Sequence, residues 1–479
     1  MRDGATSMDV TSEPGGKVQK GLIPFLTAGS LPIIVCVGWS LGTVGLAALN
    51  FAKNYVLLFM TAHLGVAAVT ASLILIGAKV FDAFTDPVMG LVSDKTHTRW
   101  GRRRPYLLIG AFLAGLGYVA LFITPSFESH VALIAYLSLV MCFYAIAYTV
   151  FGVPHLAMSA EITSSYHERT YLMSYRAVFA IIGISLGGAL VPFLIDYFGD
   201  GTLMSRAGFE GMALTMGIFV AVVCLLSFML TSRAKFVAKP DKQQIPLIQQ
   251  FKMATENRPF FILISAKASF MVASNLVNGT SLFYVTYVLG ESAAWLGSFF
   301  IVMIISTVVS QPFWLRLSKR YGKRNIYYVG AGIFAAATLS WLFASSDEHM
   351  AIFLIRAFLL GISGGGMMLV GNAMLPDTME YDTRRTGLRR EGMFAGLYST
   401  MEKFAAAVGT GLLGFILGAM GFVESTEGVV DQPESAILAI YLCNAVIPVI
   451  LTGVACFILR YYDLSESKLE NTQRTASLG

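Results

Sequence analysis

Charge is what this sequence has little of: Asp, Glu, Lys and Arg make up 13% of its 479 residues, against about 25% in soluble domains. Such a chain cannot cover a water-facing surface with ionised groups, which excludes an ordinary soluble globular protein. Cysteine is also scarce. Cys36, Cys142, Cys224, Cys443 and Cys456 stand singly inside apolar stretches. They lack the paired spacing of a zinc site or a disulfide framework and read as small packed hydrophobes. The N-terminal stretch MRDGATSMDVTSEPGGKVQK is polar and has no apolar h-region, so no cleaved signal peptide is expected. Apolar residues are abundant at 56%, with Phe, Gly and Met plentiful. That composition places the chain in a membrane. The net charge of +5 is small, and its distribution is more informative than its size.

Apolar stretches of bilayer-spanning length, about 20 residues, fall near 31–62, 68–93, 105–125, 131–158, 171–198, 210–231, 259–289, 294–316, 325–345, 350–375, 393–421 and 436–461. They must be helices, because lipid offers no water to exposed backbone groups. The loops after the even-numbered helices are all basic: TRWGRRRP, YHERT, SRAKFVAKPDKQ, RLSKRYGKRN and RRTGLRRE. In the opposite loops Arg206 is the one Lys or Arg. The positive-inside rule therefore expects both termini in the cytoplasm, as a multi-pass protein of the cell (inner) membrane. WGRRRP after helix two is echoed by YGKRN after helix eight, each an aromatic–Gly–basic turn. This echo suggests duplication. The expected architecture is an all-α membrane protein with twelve transmembrane helices in two pseudo-symmetric six-helix bundles. Its parts are a cytoplasmic tail (1–30), a first bundle (31–231), a cytoplasmic linker (232–258), a second bundle (259–461) and a second tail (462–479). Paired halves around a central cavity are a plan common among secondary transporters.

Inside the second helix runs KVFDAFTDPVMG. Lys79, Asp82 and Asp86 are spaced i, i+3 and i+7 and share one helical face. Carboxylates at membrane depth usually face a cavity and mark ion or proton pathways. Pro87 cannot donate to the carbonyl of Ala83, leaving that oxygen free one residue after Asp82. Two carboxylates, the Thr85 hydroxyl and a freed carbonyl make a hard oxygen site suited to a monovalent cation, Na+ or H+. The plainer reading is a Lys79–Asp82 salt bridge with Asp86 near the membrane surface, although one lysine cannot neutralise two acids. The following loop, SDKTHTRWGRRRP, is a topology determinant. A gating role would have Asp94, Arg102, Arg103 and Arg104, with Lys323 and Arg324 of the echoing turn, clasp helix ends when the cytoplasmic side closes.

FDAFTDPVMGLVSDKTHTRWGRRRP together with LPDTMEYDTRRTGLRREGMF (375–394) resembles the glycoside–pentoside–hexuronide:cation symporters. These are melibiose-permease-like members of the major facilitator superfamily, and the likeness covers essentially the whole chain. It implies a transporter, not an enzyme, working as a monomer without a cofactor other than its coupling cation. Its partners would be a small-molecule solute, that cation and the lipid bilayer, with no nucleic acid. Carried over by position, the cation site is Asp82, Thr85, Asp86 and Thr149. Thr85 replaces an asparagine of melibiose permease, leaving sodium and proton both open. Lys403 matches the family's helix-eleven lysine and Arg176 its helix-five arginine. The acids that grip galactoside hydroxyls in melibiose permease fall on Leu46 and Gly152, which puts a neutral galactoside in doubt.

Other charges lie deep in the apolar segments: Lys53 in the first, Lys267 in the seventh, Arg176 in the fifth and Lys403 in the eleventh. With Asn50, Asn275 and Tyr398 they are the expected lining of the solute cavity. Surplus cations there favour an anionic solute such as a sugar acid or a lysolipid head group. Alternatively Lys53 and Lys267 snorkel, or pair with Glu402 or the helix-two acids. Arg356 and the cluster Asp377, Glu380 and Asp382 are expected toward the cytoplasmic end, the acids pairing with Arg384, Arg385, Arg389 and Arg390. ISGGGMM (362–368) lacks the lysine and strand of a phosphate loop and instead permits close helix packing. The expected function is cation-coupled symport of a sugar, glycoside or sugar acid by alternating access. Alternatives are a lysolipid transporter of the same fold and, remotely, an intramembrane prenyltransferase.

Overall fold

The computed structural model describes residues 31–163, 166–199, 205–234, 256–386 and 391–464. Among them are twelve helices long and apolar enough to span a bilayer, and no strand. In chain order they are α1 Ile33–His63, α2 Ala68–Lys95, α3 Arg104–Phe122, α4 His130–Ser159, α5 Tyr171–Tyr197, α6 Arg206–Leu230, α7 Arg258–Leu289, α8 Ala293–Tyr321, α9 Lys323–Phe343, α10 Met350–Thr386, α11 Met393–Ala419 and α12 Glu434–Leu459. The expected first tail, most of the linker, the second tail beyond Leu464, and Arg389 and Arg390 lie outside the described residues.

The twelve apolar runs match these helices within a few residues at most ends. The largest difference is α10, which continues to Thr386 where hydrophobicity stops at 375. Its last turns are polar but helix-compatible. Thr378, Thr383 and Thr386 return their hydroxyls to backbone carbonyls three or four residues earlier, and Glu380 pairs with Arg384 at i, i+4. Periodic apolarity marks the part in lipid and is blind to a helix that leaves it.

Packing divides the helices as the duplication predicts. α1 packs on α5 and α6, α3 on α4 and α6, and α2 on α4; in the second set α7 packs on α11 and α12, α8 on α10, and α9 on α10 and α12. Close approach depends on small residues. A Cβ added at Gly361, Gly365 or Gly366 of α10 would strike α8 at Met303, Thr307 and Trp314. The tight fit is reinforced by Thr307 Oγ1 donating to Gly361 O (2.9 Å) and Trp314 Nε1 to Ile362 O (2.9 Å). The glycine run in α10 is therefore a packing surface. The paired turns also repeat in backbone detail. Gly101 and Gly322 both have positive φ, 95° and 81°. Added Cβ atoms would meet nothing within 4 Å at either, so conformation, not space, calls for glycine.

The two sets meet at the end opposite the basic loops. There α2 packs on α11 through Val69, Ser72 and Ile76 against Gly418, Gly414 and Gly411. α5 packs on α8, with the Ala189 carbonyl facing Gly297. Phe51 of α1 meets Phe300 of α8 edge-on at 5.0 Å. The loop before α12 adds backbone bonds: Gly65 N to Ser425 O (2.9 Å), Ser425 N to Thr61 O (2.9 Å) and Gly428 N to Ala62 O (3.1 Å).

Candidate cation and solute site

The α2 acids turn inward. Asp82 is 7% exposed, while its neighbour Phe84 is 70% exposed, as an amphipathic helix between lipid and a cavity requires. Thr149 of α4 ties the pair together: its hydroxyl donates to Asp86 Oδ1 at 2.8 Å and stands 3.4 Å from Asp82 Oδ1. Lys403 of α11 forms an ion pair with Asp86 Oδ2, reaching from one six-helix set to the other. Lys79 lies 4.0 Å from Asp82 Oδ2. The Lys79 bridge of the plainer reading is present but long, and Asp86 has its cationic partner on a different helix. The arrangement offers carboxylate and hydroxyl oxygens whose charge is already balanced by two lysines, so an arriving cation must displace an ammonium group. Thr85 is the member that stands aside. Its hydroxyl donates to the Asp82 backbone carbonyl at 3.3 Å, and α2 remains helical through Pro87.

The expected solute residues divide into groups. Lys53 donates to Asn50 Oδ1 and lines a small cavity with Asn54, Lys79, Asp82, Tyr144 and Thr410. Lys267 donates to Asn372 Oδ1 at 2.9 Å and lies 4.4 Å over the Tyr398 ring. Arg176 interacts electrostatically with Tyr148, His155 and Glu402, and Glu402 with Lys267 and Arg176. Glu402 therefore sits between a cation of each half. Sequence reasoning mentioned it only as a partner for snorkelling lysines; its place next to Lys403 was the available signal. Asn275 differs from the expectation. Its amide donates to Met271 O of its own helix (2.7 Å), and its Cβ faces Gly409 of α11, so it sits at the α7–α11 packing contact. Leu46 and Gly152, the positions matching the galactoside-binding acids, are neighbours: a Cβ at Gly152 would lie 3.7 Å from Leu46 Cδ1.

At the basic-loop end, Arg103 bridges Asp94 (2.8 Å) and Glu161 (2.8 Å), and Arg102 also reaches Glu161 (2.6 Å). The second set repeats the device with Lys323 on Asp377 at 2.5 Å. These pairs brace each half internally. Glu161, in the last turn of the helix begun at His130, was not anticipated as the acid shared by both arginines. Two expected gate residues turn elsewhere. Arg104 is buried, donating to Phe228 O (2.9 Å) with its guanidinium 4.6 Å over the Phe228 ring. Arg324 donates to the carbonyls of Arg460 and Tyr462. Arg356 is a correction: it lies near the start of α10, at the end opposite Asp377, in a buried ion pair with Glu348. The 21 residues between Arg356 and Asp377 span about 30 Å of helix.

A sequence profile described as MFS/sugar transport protein matches residues 38–466. The chain is 29% identical over 447 residues to the uncharacterized symporter YnaJ of Bacillus subtilis (strain 168), covering 90% of this chain and 93% of that one. It is 28% identical over 439 residues to the glucuronide carrier protein homolog of Escherichia coli (strain K12), covering 91% and 93%. The crystal structure of the nucleoside transporter NupG has the same fold, with a TM-score of 0.59 at 12% identity over 90% of this chain and 100% of that one. With the profile spanning nearly the whole chain and the helices arranged as described, the protein belongs to the sugar-transport (glycoside–pentoside–hexuronide) family of the major facilitator superfamily.

Proposed function

We propose that the protein carries a sugar, glycoside or sugar acid across the inner membrane in symport with Na+ or H+, its basic loops lying in the cytoplasm. The observation that carries this reading is the cluster of Asp82, Asp86 and Thr149 at membrane depth, closed by Lys403 from the other half. In the arrangement seen, the halves are shut at the outer end. Lys403 serves as the counter-charge to Asp86 while no cation is bound. A cation entering between the two carboxylates takes over that duty and releases Lys403, loosening the ion pair between α2 and α11. The released lysine and the neighbouring Arg176, Glu402 and Lys267 are then free to reorganise around a solute. Each ligand thereby favours the other, and reciprocity requires that solute also tighten cation binding.

The test is gradient-driven uptake in proteoliposomes. Asp82→Asn and Asp86→Asn are expected to abolish uphill accumulation of a transported sugar while leaving downhill exchange measurable. Accumulation by both variants at the wild-type level would overturn the assignment.

A further inference from the structure

Helix α1 is interrupted where it passes the cavity. Lys53–Tyr55 form a 3-10 turn between the α-helical stretches Ile33–Ala52 and Val56–His63. The break delivers Lys53 and Asn54 into a hollow of about 50 Å³ shared with Lys79, Asp82, Tyr144 and Thr410. That volume suits a few water molecules and is far below the roughly 300 Å³ at which ligand pockets begin. It cannot enclose a glycoside, but it fits one small charged group.

Its charge is unbalanced. Two lysines, Lys53 and Lys79, line it against one acid, Asp82. Asp82 is 4.0 Å from Lys79 and also belongs to the oxygen cluster with Thr149. Lys53 donates to a neutral acceptor, Asn50 Oδ1. The imbalance extends through the core of the spans, where Lys53, Lys79, Arg176, Lys267 and Lys403 face Asp82, Asp86 and Glu402. Excess positive charge in a confined, weakly polarisable space is costly unless an anion shares it. The Tyr144 hydroxyl does not compete as a donor, because it already donates to Leu49 O at 3.0 Å.

We propose that this hollow is a subsite for a single small monoanionic group, held by the ammonium groups of Lys53 and Lys79 with the Asn54 amide beside them. The group is either the carboxylate of a sugar acid or a free halide; the chemistry recognised is the same. A bound anion also draws Lys79 away from Asp82. On the reading that Asp82 and Asp86 hold the coupling cation, this bares a carboxylate for that cation, so anion and cation strengthen each other's binding. Lys79 is then the shared element of the two sites.

Purified full-length protein in detergent and chloride-free buffer, its sodium held constant with sodium sulfate, is titrated by calorimetry with sodium chloride and with sodium D-glucuronate. The expected result is binding of glucuronate or chloride to wild type, weakened about 10- to 100-fold in Lys53→Gln, as for loss of a charged hydrogen bond. Lys53→Arg should restore it. Binding of chloride alone identifies the free ion as occupant; glucuronate binding that chloride does not compete for identifies the solute's acid group. Each supports the subsite. Failure of both anions to bind wild type, or binding unchanged in a Lys53→Gln protein that elutes as a single species, overturns it. The symport reading is judged separately, by whether any sugar accumulates on a cation gradient.

Discussion

Gly414 offers the sharpest test of how the two halves meet. A methyl group there would stand 2.6 Å from the Ala68 carbonyl oxygen of α2 and collide with the Ser72 side chain. A rotamer change would move Ser72 Oγ, but Ser72 Cβ at 2.5 Å and the Ala68 carbonyl are both fixed by the helix. Ordinary contact begins at 3.4 Å, so α11 must retreat by 3.4 minus 2.5, about 0.9 Å. Overpacking of this kind costs about 1–3 kcal/mol. On the alternating-access reading this contact belongs to the arrangement shut at the end opposite the basic loops, so the cost falls on that arrangement alone. The Gly414→Ala equilibrium should therefore move toward the outward-open arrangement by about 5- to 150-fold. The assay uses a protein whose five cysteines are replaced, with one reporter, Ala189→Cys, in the neighbouring α5–α8 seam. Labelling by a membrane-impermeant maleimide from the side opposite the basic loops should quicken at least about 5-fold. An unchanged labelling rate, even alongside a lower melting temperature, would refute the reasoning, because the glycine would then serve helix packing and not alternation.

Thr149→Val removes the hydroxyl that donates to Asp86 at 2.8 Å. A hydrogen bond to a charged group is worth about 1.5–3 kcal/mol, so half-saturation for the coupling cation in uptake assays should rise about 10- to 150-fold; an unchanged value would remove Thr149 from the site. Glu161→Gln should lower the melting temperature more than Asp94→Asn. The Glu161 side chain is 8% exposed and shared by two arginines, whereas that of Asp94 is 43% exposed and meets one; equal shifts would show that the brace depends on neither burial nor sharing.

Much of this arrangement is legible in the sequence because lipid imposes simple rules. Apolar length locates the spans, and the i, i+3, i+7 spacing of Lys79, Asp82 and Asp86 assigns them one face. What spacing cannot give is the partner on that face. Lys403 meets Asp86 across 317 positions of chain and Thr149 meets it across 63. These two were named through resemblance to a family, whereas Glu161 and Glu402, equally remote from their partners, were not assigned to the site. Arg104 shows the converse limit. It sits in a run of three arginines, yet one turn of backbone aims it at Phe228 and its neighbours at Glu161. A run of like residues has one composition and several directions. Arg356 was placed at the wrong end because a single charge in a long helix carries no mark of depth; its acid, Glu348, lies before the helix begins.

The stitching of Thr61, Ala62 and Gly65 to Ser425 and Gly428 is made wholly of main-chain groups. Amides and carbonyls are common to every residue other than proline, so at Thr61, Ala62 and Ser425 this clasp is indifferent to which side chains drift in over evolutionary time, while Gly65 and Gly428, at φ of 60° and 104°, stay tied to glycine. The outer lid can keep its fastening while the walls of the cavity below change to suit a new passenger. At 425 proline is the one replacement that would cut a thread, because it alone arrives without the proton.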